Sequence, residues 1–169
     1  KERLRKEKEQ QKAEQKKREK AVASRNGVKK SVPNINTSMK SYMDYRAITS
    51  TGSAQYKLQR QSNMYTDSEG FRRLGGRYVV AVGTYYSKSI GDTVKVRLAN
   101  GTSFEAVVGD FKANKDTDST NRYHKSDNSV IEFIVDTRVL SRSIRQSGNC
   151  SNAKTINLQG NVESIEVLR

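Results

Sequence analysis

The sequence predicts a mainly β domain, a barrel or sandwich, behind a polar and basic N-terminal segment. Three observations carry this: short alternating apolar runs recur between turns in the C-terminal half, an Asn-Gly pair joins two of them, and apolar weight begins only near Ser41. The runs are RYVVAVGTYY (77–86), TVKVRL (93–98), SFEAVV (103–108), SVIEFIVD (129–136) and VESIEVLR (162–169).

Asn100-Gly101 lies between the second and third runs, and such a pair suits a tight type I′ hairpin. Val94, Val96 and Leu98 alternate with Lys95 and Arg97, and Phe104, Ala106 and Val108 share one face after the turn, so a half-buried sheet is expected. Extending that alternation places Asp110 on the apolar face at a strand end. One short helix is expected after Asp136, with Val139, Leu140 and Ile144 as its stripe and Gly148 as its breaker.

Ahead of the domain, residues 1–30 hold 13 Lys/Arg against 5 Asp/Glu, out of 32 and 18 in a 169-residue chain of net charge +14. Helix formers and Glu-to-Lys pairs favour a helix, but Leu4 is the single large apolar residue of the first twenty, which excludes a coiled-coil seam. A solvated helical or disordered spacer is expected over 1–30, a flexible linker around Pro33 over 31–40, and the β domain over 41–169. The chain opens at Lys1 without Met, so an upstream segment is expected, with room for an anchor or export signal.

A basic chain draws polyanions: nucleic acid, anionic lipid, teichoic acid or the carboxylates of peptidoglycan stems. The basic stretch has no aromatic residue to stack on bases, which ranks nucleic acid last. Cys150 and His124 are the single cysteine and histidine, so no intrachain disulfide and no Cys/His zinc cluster can form. Asp116, Asp118, Thr120 and Asp127 echo a calcium loop, yet Asn121 occupies the position of the turn glycine and Asp127 that of the bidentate Glu. No metal or cofactor is expected, and no apolar run reaches membrane-spanning length.

Gly83-Thr84 after an apolar strand, Asn100-Gly101, Asp110 at the end of the next strand and Asp136 closing IEFIVD together resemble the double-psi β-barrels of rare lipoprotein A-like proteins and of the 3D (Asp-Asp-Asp) cell-wall domains, over roughly 76–169. The resemblance implies a six-stranded double-psi barrel with one or two short helices. It also implies an extracytoplasmic, wall-associated protein, bacterial or phage-encoded, acting as a lytic transglycosylase on peptidoglycan glycan strands. Asp110 would be the general acid and base, with Asp136, Thr84 and His124 in support. The Asp-Arg-Gly-Pro and Asp-Thr-Gly-Gly signatures of those groups are absent here, and the insert KANKDTDSTNRYHKSDNS has no counterpart in them.

Each of these residues also has a plain structural role open to it. Asp110 suits a turn acceptor, Asp136 a helix cap, Thr84 a strand residue and His124 an exposed loop. Tyr85, Tyr86, Arg77 and Lys112 are the expected substrate contacts, through stacking on sugars and pairing with anions. The alternative function is a non-catalytic wall-binding or structural module of a phage tail, secretion or conjugation apparatus, with anionic wall polymer as partner; nucleic-acid binding ranks below both.

Overall fold

The computed structural model describes residues 1–22 and 27–168. The chain is mainly β: nine strands form one mixed sheet that does not close on itself among the described residues. In chain order the strands are β1 (Gly27–Lys30), β2 (Tyr42–Asp44), β3 (Met64–Thr66), β4 (Arg72–Leu74), β5 (Arg77–Val82), β6 (Thr93–Leu98), β7 (Ser103–Phe111), β8 (Glu132–Val135) and β9 (Val162–Leu168). The helices are α1 (Glu2–Val22), α2 (Ala54–Gln59) and α3 (Arg142–Ser147). The main path runs β1-β9-β6-β7-β5-β4-β3, and β8 joins β5 to β2 beside it. A closed barrel has no edge strands; here β1 and β3 end the path, and β1 is largely exposed.

The β6–β7 hairpin forms where expected, but not as a type I′ turn. Gly101 alone of the Asn-Gly pair takes left-handed backbone (φ +91°), Gly101 N–H bonds to the Leu98 carbonyl at 3.0 Å, and Leu98 N–H reaches Thr102 O at 2.8 Å. This is a three-residue loop ending on a left-handed glycine.

Inward alternation holds through Val108 and then breaks. The β5–β7 ladder shifts register between Val80 and Ala81: Val80 faces Val108, Ala81 faces Asp110 and Val82 faces Phe111. Gly109 is the extra residue, and a Cβ there would come within 2.5 Å of Val79 Cγ1 and 3.0 Å of Ile134 Cδ1. The bulge flips the pleat, as bulges do. Phe111 therefore packs on the main core, and Asp110 moves to the opposite face beside Ala81, contrary to the expected alternation.

That core gathers the inward residues of β5 to β9 around Phe71, Tyr78, Phe104 and Phe133. Phe133 is its hub, with ring centroids 5.2 Å from Phe71, 5.6 Å from Tyr78 and 5.7 Å from Phe104. Leu58, Leu74, Val79, Val107 and Ile134 form a smaller cluster on the other face.

The segment 31–40, expected as a flexible linker, buries three of its residues against the domain and leaves Ser31, Asn34, Ile35 and Asn36 exposed. Pro33, Thr37 and Lys40 are buried, and the Lys40 ammonium donates to Ser38 O at 3.0 Å and Gly160 O at 2.7 Å. Burial pushes that ammonium down to about 8. Polar composition suggested a linker, but the buried polar groups find backbone partners, Lys40 in those carbonyls and Thr37 Oγ1 in the N–H of Val162 at 2.9 Å, which is what their burial requires.

The N-terminal helix is likewise not a free stalk. Glu7 accepts a bond from Ser68 N–H at 2.7 Å and Gln15 donates to Ser103 O at 3.4 Å, so α1 lies against the domain through polar contacts in place of an apolar seam. The helix after Asp136 starts later than expected, at Arg142. Leu140 and Ile144 are buried but Val139 is exposed, because a turn from Asp136 to Val139 and Leu140 takes up the first residues.

Candidate functional site

Asp110 and Asp136 are not brought together. Asp110 shares a row with Ala81 and Glu132 across β7, β5 and β8, and its Oδ1 accepts the N–H of Phe111 at 2.9 Å. Asp136 stands four residues along β8 from that row. At strand spacings this is roughly 13 Å along the strand and ~10 Å across two strands. Two-carboxylate glycosidases hold their carboxyls within ~5–10 Å, so this pair is too far apart.

Asp136 is engaged locally. It accepts from Arg138 Nη2 at 2.8 Å and from Arg138 N–H at 3.0 Å, and the guanidinium holds its carboxyl below the usual range. Neighbouring Asp44 is held lower by Arg46 and by Thr137, whose N–H it accepts at 2.9 Å. The two carboxylates brace the turn between β8 and α3.

Thr84 bonds to Asn114 Oδ1 at 2.8 Å, in the insert. The insert also covers Gly83, where a Cβ would meet Asn121 O at 1.9 Å. Asp118 organises this loop by accepting from Thr120 and from the N–H groups of Arg122 (2.8 Å) and Tyr123 (3.0 Å). Partial burial pushes its carboxyl up, but these bonds outweigh that and bring it to about 2. His124 lies further along the loop, where Nδ1 meets Ser126 Oγ at 2.7 Å. The insert therefore folds over the end of β5. Among the described residues, no group of three or more His, Cys, Asp or Glu is placed to hold a metal ion.

Of the expected substrate contacts, only Tyr85 is exposed, with Lys30 Nζ 5.3 Å from its ring centre. Tyr86 is buried, its hydroxyl donating to Ser31 O at 2.8 Å. Arg77 pairs with Glu105 at 2.9 Å. Lys112 is buried with its ammonium unbonded among the described residues, and burial pushes its pKa down against the pull of Glu132 and Asp127. Side chains that looked like groove residues are thus held by the fold. Cys150 is buried too, which pushes its thiol up and out of nucleophile range.

A different place collects unpaired charge. A cleft of about 770 Å³ runs between α1 and the loop 151–159, with Lys8, Lys12 and Lys16 on the helix wall, Lys154 on the loop wall and Arg73 and Tyr78 below. Among the described residues no carboxylate lines it. The four lysines make no ion pair among the described residues. Arg73 is committed, to Asp67 at 3.3 Å and to Gly76 O at 2.6 Å, with its guanidinium 3.8 Å from the Tyr78 ring centre. Beneath the loop wall, buried Glu69 accepts from Lys154 N–H at 2.6 Å, Thr155 N–H at 2.9 Å and Thr155 Oγ1 at 2.6 Å. These bonds fix the loop without placing a negative charge in the cleft.

Composition revealed the basic density of residues 1–30 but not its location, because the opposite wall lies more than a hundred residues away in sequence. No helix of the structure is long and apolar enough to cross a membrane. No protein-family model matches the chain, and searches of the curated proteins and of the solved structures return no match.

Proposed function

We propose that this chain is a non-catalytic, wall-associated module that holds an anionic polymer of the bacterial cell envelope, on a β domain related to the double-psi barrels. One observation carries the reading: among the described residues, the cleft between α1 and 151–159 gathers four lysines that make no ion pair and is lined by no carboxylate. Asp110, the acid and base in the resemblance, accepts the N–H of Phe111, and Asp136 is held by Arg138 instead of standing beside it, which supports a holding role over a cutting one. The parallel pairs β5–β7 and β2–β8, linked by antiparallel β5–β8, support the double-psi relation, because an interlocked barrel needs strands that pair out of sequence order.

Co-sedimentation of the full chain with purified bacterial cell walls tests the proposal. Binding is expected at low ionic strength and should weaken by roughly 20–40-fold between about 50 and 200 mM salt, as expected when about three cation–anion contacts release counterions. Binding that ignores salt, or no pelleting at all, would remove the electrostatic module.

A further inference from the structure

Resting on that reading, we infer that the polymer in the cleft is a linear polyol phosphate, held with its successive phosphates against Lys8, Lys12 and Lys16 while Lys154 closes the other side. The three helix lysines are four residues apart, so they lie along one stripe of α1 at steps of ~6 Å. A chain whose phosphate esters are separated by three carbon atoms repeats over a comparable distance. A single small anion would use one step of this ladder; a phosphodiester chain uses all of them.

The cations present fit such a chain. A lysine ammonium is a point charge that meets phosphate oxygens in any rotation, while arginine's planar fork serves carboxylate and phosphate alike. The arginine at this cleft is already bonded to Asp67 and Gly76, and among the described lining residues the charges without an ion pair are lysines. Their mutual repulsion along α1 is relieved by a bound polyanion. The other walls carry amide and hydroxyl groups, among them Gln11, Asn157 and Gln159, which suit the hydroxyls of a polyol, beside the apolar Ala153 and Ile156, which suit its carbons. Tyr78, the one aromatic lining residue, is buried, so no stacking platform is offered to nucleobases.

The experiment measures binding of the full chain to poly(glycerol phosphate), to intact walls, to walls stripped of phosphate polymers with hydrofluoric acid, and to a single-stranded DNA of matched charge. It compares wild type with Lys8→Gln/Lys12→Gln/Lys16→Gln and with a charge-matched control, Lys88→Gln/Lys115→Gln/Lys125→Gln, which lies outside the cleft. All six positions are exposed, so folding is not at risk. The expected result is binding to the polymer and to intact but not stripped walls, lost about tenfold or more in the helix variant and kept in the control. Equal binding to intact and stripped walls overturns this inference and leaves the wall-binding reading standing. Failure to bind any wall overturns both. Unchanged polymer affinity in the helix variant, or tighter binding to DNA than to the polymer, also overturns the inference.

Discussion

Phe133→Ala is expected to lower stability by about 3–5 kcal/mol, the largest loss of any single truncation in the core. Phe133 is fully buried and its ring meets three others, so truncation removes apolar burial and leaves a cavity bounded by Phe71, Tyr78 and Phe104. Its strand is also where the fold is joined: β8 pairs with β5 on one side and with β2 on the other, and Phe133 N–H bonds to Ser41 O at 2.9 Å. Urea unfolding followed by circular dichroism should show the midpoint fall with little change in slope. A loss below about 1 kcal/mol would mean that the four rings do not form one core.

Arg73→Ala is expected to cost about 3–5 kcal/mol at pH 8, and much less at pH 5, because it strands a buried carboxylate. Asp67 is almost wholly buried and accepts from the N–H groups of Glu69 and Phe71 as well as from Arg73. Burial, opposed by the guanidinium, pushes its carboxyl up from 3.8 to about 6. A carboxyl raised on folding binds its proton more tightly in the folded chain. Its contribution is therefore fully present below about 4 and is lost as pH rises through about 6. Without Arg73 the carboxyl rises further, so protonation rescues the variant in acid.

Asp44, Asp118 and Asp136 behave oppositely, being lowered on folding. Their contributions are present above the ordinary carboxylate value and are lost as pH falls through the folded values, which for Asp118 is about 2. Thermal melts of wild type, Arg73→Ala and Asp67→Asn across pH 3–8 separate the two groups. The Asn variant should lack the decline between about pH 4 and 6, and an Arg73→Ala deficit equal at pH 5 and 8 would exclude the stranded-charge explanation.

The elements that were legible in the sequence are those whose period-2 pattern is written in apolar residues. β5, β6, β7 and β9 fall where their runs predict, with the Val94, Val96, Leu98 face inward. Short polar strands were not legible, because their burial rests on partners far away in sequence. Arg72 and Arg73 sit buried in β4, the first bonded to Gln59 at 2.9 Å and stacked 4.1 Å from the Tyr45 ring centre, the second paired with Asp67. Nothing in RRL announces a strand.

Asp110 shows the limit most sharply. Alternation places it toward the core, but one extra residue at Gly109 sends it to the other face, and glycine there is explained only by Val79 and Ile134 across the sheet. The cleft was half legible: the lysines were visible as charge density and the wall at 151–159 was not. Likewise the insert of 112–129 read as polar loop, while its role as a cover over Gly83 depends on the backbone of Asn121.

Incubating the full chain with intact purified cell walls that retain their phosphate polymers, and analysing the soluble fraction by mass spectrometry for 1,6-anhydromuramyl products, tests most directly whether this is a module that holds the wall without cutting it. The expected result is protein in the wall pellet with no anhydro products above the protein-free control, for wild type and Asp110→Asn alike. Anhydro products released by the wild type and abolished by Asp110→Asn would contradict it and make Asp110 the catalytic acid.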